Sequence, residues 1–198
     1  MPCFLIIKMF RPQIEKTSVL LLLTLFSMSM AYYASSQIIY DKQLGYEEKI
    51  QSTKIMEKAL SILQKEVKSK FDEKIDEDID PNNTNLIFFR PFSPMVTYYG
   101  DLESKQTVLK PNFAALMVDL FMKAGLKKGD DIAVSMTGSM PGANIALYAA
   151  CEAMDVTPIV ISSVGASQHG ATDSNFTWLD MEKILYDKKI ISNKSVGV

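Results

Sequence analysis

The sequence predicts an α/β protein: an incomplete three-layer parallel-sheet domain behind an N-terminal transmembrane helix and a helical stalk. Three observations carry that expectation. Residues 19–33 form an uncharged apolar run, and a strongly periodic helical pattern follows at 46–71. Further on, two short apolar strings flank a glycine-rich turn and an apolar helical segment, the strand–helix–strand unit of a parallel sheet. The chain divides accordingly into a cytosolic tail (1–17), a transmembrane anchor (18–40), a helical stalk with an acidic linker (41–84) and an extracytoplasmic α/β domain (85–198), expected to be truncated.

The 198 residues suffice for one domain of ordinary size. A net charge of -2 argues against nucleic acid, which needs a concentrated basic surface. Cys3 and Cys151 lie on opposite sides of the apolar run, so neither a disulfide framework nor a cysteine-rich zinc site is expected. His169 is the single histidine, which excludes a multi-histidine metal centre within one chain. No cofactor motif is read in the sequence.

With Ser18 and Ala34 the apolar run spans about 17 residues, roughly 25 Å as a helix, the short end of a membrane-crossing segment. The uncharged residues 35–40 extend it. Lys8, Arg11 and Lys16 precede the run against Glu15 alone, which keeps that side in the cytosol and puts the rest outside. The lipid bilayer is therefore an expected partner. Two other readings stay open: a buried core helix, and a signal peptide cleaved after Ser29-Met30-Ala31.

At 46–71, Ile55, Ala59, Ile62 and Leu63 share a face, with Met56, Leu60, Val67 and Phe71 beside it, and lysines and glutamates fill the rest. This is a stalk or a helix packed on the domain. Asp72, Glu73, Asp76, Glu77, Asp78 and Asp80 then make an acidic linker, or alternatively a calcium site without EF-hand spacing. Leu86 to Phe89 reads as a short strand. Pro111 opens an amphipathic helix with Phe113, Leu116, Met117, Leu120, Phe121 and Ala124 in its apolar stripe and Gly125 as its left-handed cap. Strands at 131–136 and 157–162 flank a helix at 143–154. A last helix starts at Thr177, with Asp180 completing an approximate capping box.

Chemistry has two candidate places. Gly138, Ser139 and Gly142 form a strand-to-helix turn, where backbone and a helix N-terminus can approach an anion. The turn is neither a Walker loop nor GxGxxG nor GxSxG, and a structural helix cap at Ser139 is the competing reading. The loop from Ser163 to Asp173 follows the second strand and should sit beside that turn. Gly138, Ser139, Asn144 and Ser167 are then the expected substrate-binding residues, for a carboxylate or phosphate. Ser139 or Ser167 with His169 and Asp173 supplies the residue types of a nucleophile–base–orienter set, and no catalytic residue is assigned on that ground alone.

These strings carry a family resemblance. Pro111-Asn112-Phe113-Ala114-Ala115-Leu116, the turn Gly138-Ser139-x-Pro141-x-x-Asn144, Ile161-Ser162-Ser163-Val164-Gly165-Ala166-Ser167 and Phe176-Thr177-Trp178-Leu179-Asp180-Met181-Glu182 resemble the poly-γ-glutamate system protein family. Members are encoded with the ligase and export components of poly-γ-glutamate synthesis. The resemblance covers roughly 93–185 and implies a membrane-anchored accessory component of synthesis or export. Its partners would be the ligase and export membrane proteins, with the anionic polymer itself as a ligand. A hydrolase or transferase that trims or releases polymer, and a purely structural subunit, are the alternatives. His169 stands where the family pattern has an aromatic residue, which argues against a catalytic role for it. Family chains continue further, in line with the expected truncation.

Overall fold

A computed structural model describes residues 16–38, 41–71 and 77–198. The expected cytosolic tail with Lys8 and Arg11, and Asp72, Glu73 and Asp76 of the acidic linker, lie outside the described residues. The chain forms two compact units, Met1–Lys42 and Gln43–Val198.

The first unit holds helix α1, Thr17–Ser36, in which no residue is buried. Twenty residues make a helix of about 30 Å, the thickness of a bilayer's hydrocarbon core. It is the one described helix long and apolar enough to cross a membrane. Two hydroxyls in its middle bond back to the helix itself: Thr24 Oγ1 donates to Leu20 O at 2.9 Å and Ser29 Oγ to Phe26 O at 2.8 Å. Such back-bonding removes the cost of placing hydroxyls in lipid.

The second unit opens with α2, Tyr46–Lys70, followed by α3 (Leu102–Val108), α4 (Asn112–Lys123), β1 (Asp131–Thr137), α5 (Pro141–Met154), β2 (Thr157–Ser163) and α6 (Trp178–Asp187). Of the two readings of this helix, a stalk or a helix packed on the domain, the structure has the second. Met56, Ala59, Leu60, Leu63 and Val67 are buried along one stripe, against α4 and α5, and Lys49 Nζ pairs with Asp119 of α4 at 2.9 Å. The second compact unit, Gln43–Val198, includes this helix, because its stripe needs burial and α4 and α5 provide it. Gly45 begins α2 in the left-handed region, and a Cβ there would lie 2.3 Å from the Met122 side chain.

Leu86 and Phe88 enter the core, but from an irregular segment rather than a strand. Asp80 shapes that segment: its carboxylate accepts from Thr84 Oγ1 and from Asn85 N, the latter at 2.6 Å. Phe71, Phe88 and Phe176 meet as a trio, with ring centroids 6.2–6.4 Å apart. On α4 the stripe is rotated from expectation. Ala114 and Val118 are its buried residues, while Leu116 and Leu120 are each 47% exposed. Gly125 follows at φ 84, as a left-handed cap requires.

β1 and β2 are adjacent and parallel, in register from Asp131 against Thr157 to Thr137 against Ser163. The crossover α5 covers one face, over Met136 and Val160. On the other face Ile159 and Ile161 stay 49% and 59% exposed, so among the described residues no helical layer covers it. The free edge of β2 is met by the C-terminal segment: Val196 N donates to Val160 O and Ser162 N to Gly197 O. α6 starts with the full capping box, Thr177 Oγ1 accepting from Asp180 N and Asp180 Oδ2 from Thr177 N.

Candidate functional site

The turn after β1 and the loop after β2 come together, as a parallel pair with one crossover requires. Gly138 N donates to Ser163 O and Gly165 O, and Gly138 O accepts from Ala171 N at 2.7 Å. Gly170 presses so closely on the turn that a Cβ there would sit 2.6 Å from the carbonyl oxygens of Gly138 and Ser139.

The four residues expected to bind an anion spend much of their bonding capacity on this clamp. Ser139 Oγ accepts from Ser167 N at 3.0 Å. Asn144 is turned inward, its Nδ2 donating to Thr137 O at 2.8 Å, which fixes the end of β1. The first turn of α5 is covered by the end of α3, since a Cβ on Gly142 would lie 2.5 Å from Val108 O. A helix N-terminus facing an open crevice is therefore not what this geometry offers. Ser167 and Ser139 remain half-buried at its rim.

What the sequence did not reveal is Lys105. It lies on α3, whose N-cap Asp101 accepts from Ser104 N at 2.7 Å, and it is only 2% exposed. Its Nζ donates to Ser167 Oγ at 2.6 Å and to Ser139 O. Among the described residues no carboxylate forms an ion pair with it. Burial pulls the ammonium below its ordinary range, and the charge of Asp101 counters in part. A buried cation held only by neutral oxygens is costly, and a desolvated titratable group of this kind is a candidate functional residue. Asp101 three residues before Ser104 is the signal that could have found α3: a capping aspartate opening a short turn.

His169 stands beside this group. Its backbone is left-handed at φ 63, its ring stacks on Phe89 at 5.3 Å, and its Nδ1 is buried with no hydrogen-bond partner among the described residues. Burial first, then the Lys105 charge, lowers its pKa. Asp173 is engaged elsewhere, bonding Arg90 Nε at 3.1 Å and Asn175 N at 2.9 Å. The serine–histidine–aspartate set is thus not assembled, because Arg90 claims the carboxylate that would orient His169.

Two clefts flank the site. One of about 410 Å³ is lined by Asp101, Glu103, Ser104, Thr107, Val108 and Met140, chain neighbours of Lys105 and Ser139. The other, about 360 Å³, is lined by Phe89, Arg90, Phe92 and Asp173 among others. Cys151 is away from this chemistry, a core thiol that burial pushes up to about 12. Compared with protein-family models, with curated proteins and with solved structures, the chain finds no match.

Proposed function

We propose that this protein is a membrane-anchored accessory component of poly-γ-glutamate synthesis or export, with its N-terminus in the cytosol and its second unit outside, binding the polymer or a partner of the ligase and export machinery. The carrying observation is Lys105, buried beside the loops at the carboxyl ends of two parallel strands, with no carboxylate in an ion pair with it among the described residues. A glutamyl carboxylate entering beside Ser139 and Ser167 would supply the missing countercharge. The sequence resemblance names the polymer. A three-layer arrangement would need a further layer on the face bearing Ile159 and Ile161, which a partner of the assembly would supply.

One charge-assisted hydrogen bond contributes about 1.5–3 kcal/mol, so a single glutamyl unit binds weakly and affinity grows with the number of units engaged. Purified full-length protein in detergent should therefore bind long poly-γ-glutamate, and Lys105→Met should weaken that binding by about tenfold or more. Equal binding by wild type and Lys105→Met would remove the basis of the proposal. The orientation rests on Lys16 and the further basic residues before α1. A reporter fused after Asp80 should be active only outside the cytosol, and activity confined to the cytosol would reverse the topology.

A further inference from the structure

We propose that Ser167 and Lys105 are a nucleophile–base pair for acyl transfer to water, acting on an amide carbonyl of a peptide-like chain. The inference goes beyond the binding proposal and rests on it only for the amide class of the substrate: binding uses Lys105 as an ammonium, whereas acyl transfer uses it as an amine.

The geometry meets the first requirement of such a pair. Nζ and Oγ are 2.6 Å apart, within direct proton-transfer reach. It also fits the neutral amine. An uncharged Nζ has two N–H donors and one lone pair. One donor continues to serve Ser139 O, and the lone pair accepts the Ser167 hydroxyl proton, so both observed contacts persist with the Ser167 bond reversed. Ser139 Oγ holds Ser167 N at 3.0 Å, which fixes the backbone that carries the nucleophile. The titratable groups acting here are Asp101 on the lysine's own helix and His169 on the facing loop. Desolvation, the larger influence, favours the amine.

The reaction would run as follows. Ser167 Oγ attacks the carbonyl carbon and its proton passes to Lys105 Nζ, giving a tetrahedral oxyanion beside the new ammonium. The C–N bond breaks, and the leaving nitrogen takes the proton from Lys105. Water then attacks the Ser167 ester, giving its proton to Lys105. The C–Oγ bond breaks, and the proton returns to Ser167. Amide and water become acid and amine, with Ser167 and Lys105 restored.

A fluorophosphonate probe added to full-length protein in detergent, followed by mass spectrometry of the modified peptide, tests this. Phosphonylation should fall on Ser167 and rise with pH to a plateau reached below the ordinary lysine value of 10.5. It should be lost in Ser167→Ala and slowed about 100-fold or more in Lys105→Met. Variants that keep the wild-type melting profile make these comparisons valid, and Lys105→Arg, which stays charged, is a second variant that should also fail to react. No labelling of Ser167 in the folded wild type, or equal labelling in Lys105→Met, overturns the proposal. Polymer binding measured on the same wild-type sample separates the two readings. Binding without labelling sinks this one alone, and labelling without binding sinks the other.

Discussion

Two buried charges in the second unit are treated in opposite ways. Glu182 of α6 is 4% exposed and accepts from Tyr148 Oη at 2.6 Å and Ser195 Oγ at 2.7 Å, and Ser195 in turn meets Ser162 Oγ at 2.6 Å. Those hydroxyls come from α5, the C-terminal segment and the end of β2, so one carboxylate joins four pieces of chain. Tyr148 is locked as a phenol: burial, then its bond to Glu182, raises its pKa far beyond the ordinary value. Lys105 is as deeply buried, yet its partners are one hydroxyl and one carbonyl, with the unpartnered Nδ1 of His169 nearby. A charge whose donors are supplied by the fold serves the fold. A charge left short of partners is available to something else.

The largest expected effect follows from the satisfied charge. Glu182→Ala strands the buried Tyr148 hydroxyl, removes one partner of the half-buried Ser195 and opens a cavity, and should cost about 2–4 kcal/mol of stability. Glu182→Gln keeps an acceptor and should cost less. Trp178, the only tryptophan, is fully buried and stacks on Tyr148 at 6.4 Å, so its fluorescence reports urea unfolding of this unit. If Glu182→Ala unfolds at the wild-type midpoint, the carboxylate is not a rivet and the contrast with Lys105 collapses.

The opposite is expected of Lys105. Lys105→Met replaces an undercompensated buried charge with an apolar chain of similar length, and should alter stability by about 1 kcal/mol or less, in either direction. The sign of its pH dependence is fixed. The folded value lies below the unfolded 10.5, so the unfolded chain holds the proton more tightly in that window. This group's stabilising contribution is present above pH 10.5 and is lost as pH falls through the folded value. The midpoint of Lys105→Met should therefore gain on wild type as pH is lowered from 10.5. A gap that stays constant over that range would mean that Lys105 is solvated in solution.

The same contrast explains how far the sequence could be read. The parallel pair and its crossover were legible because β-branched strings at 131–136 and 157–162 flank a turn with Gly138 and Gly142. The meeting of turn and loop was legible too, since it follows from topology alone. The role of α2 was not settled by its pattern. A stripe of Met56, Leu60, Leu63 and Val67 beside a lysine- and glutamate-rich face looks alike in a stalk and on a core, and only α4 and α5 decide between them. The Asp101 cap could have located α3, but the burial of Lys105 left no trace, because a seven-residue helix shows no period and a lysine in sequence looks solvated. Its burial comes from residues 34 and 62 positions away, Ser139 and Ser167.

The smallest expected effect is also the most discriminating, because it reads the charge on Lys105 without a ligand. His169 is the chain's single histidine, so its Hε1 proton gives one NMR signal to follow in full-length protein in detergent. Its folded pKa lies below the ordinary 6.5, first because burial disfavours the imidazolium and second because a cationic Lys105 repels it. The imidazole's contribution to stability is thus present above pH 6.5 and lost as pH falls through the folded value. Lys105→Met removes the second cause and leaves the first. The titration midpoint of His169 should therefore move up toward 6.5 without reaching it, while the stack on Phe89 at 5.3 Å holds the ring in place. A midpoint that does not move would mean that Lys105 is already an uncharged amine where His169 titrates. That result would weaken carboxylate binding and strengthen the nucleophile–base pair. A clear upward shift shows that the ammonium predominates in this pH range, and Ser167 would then find its base only at higher pH.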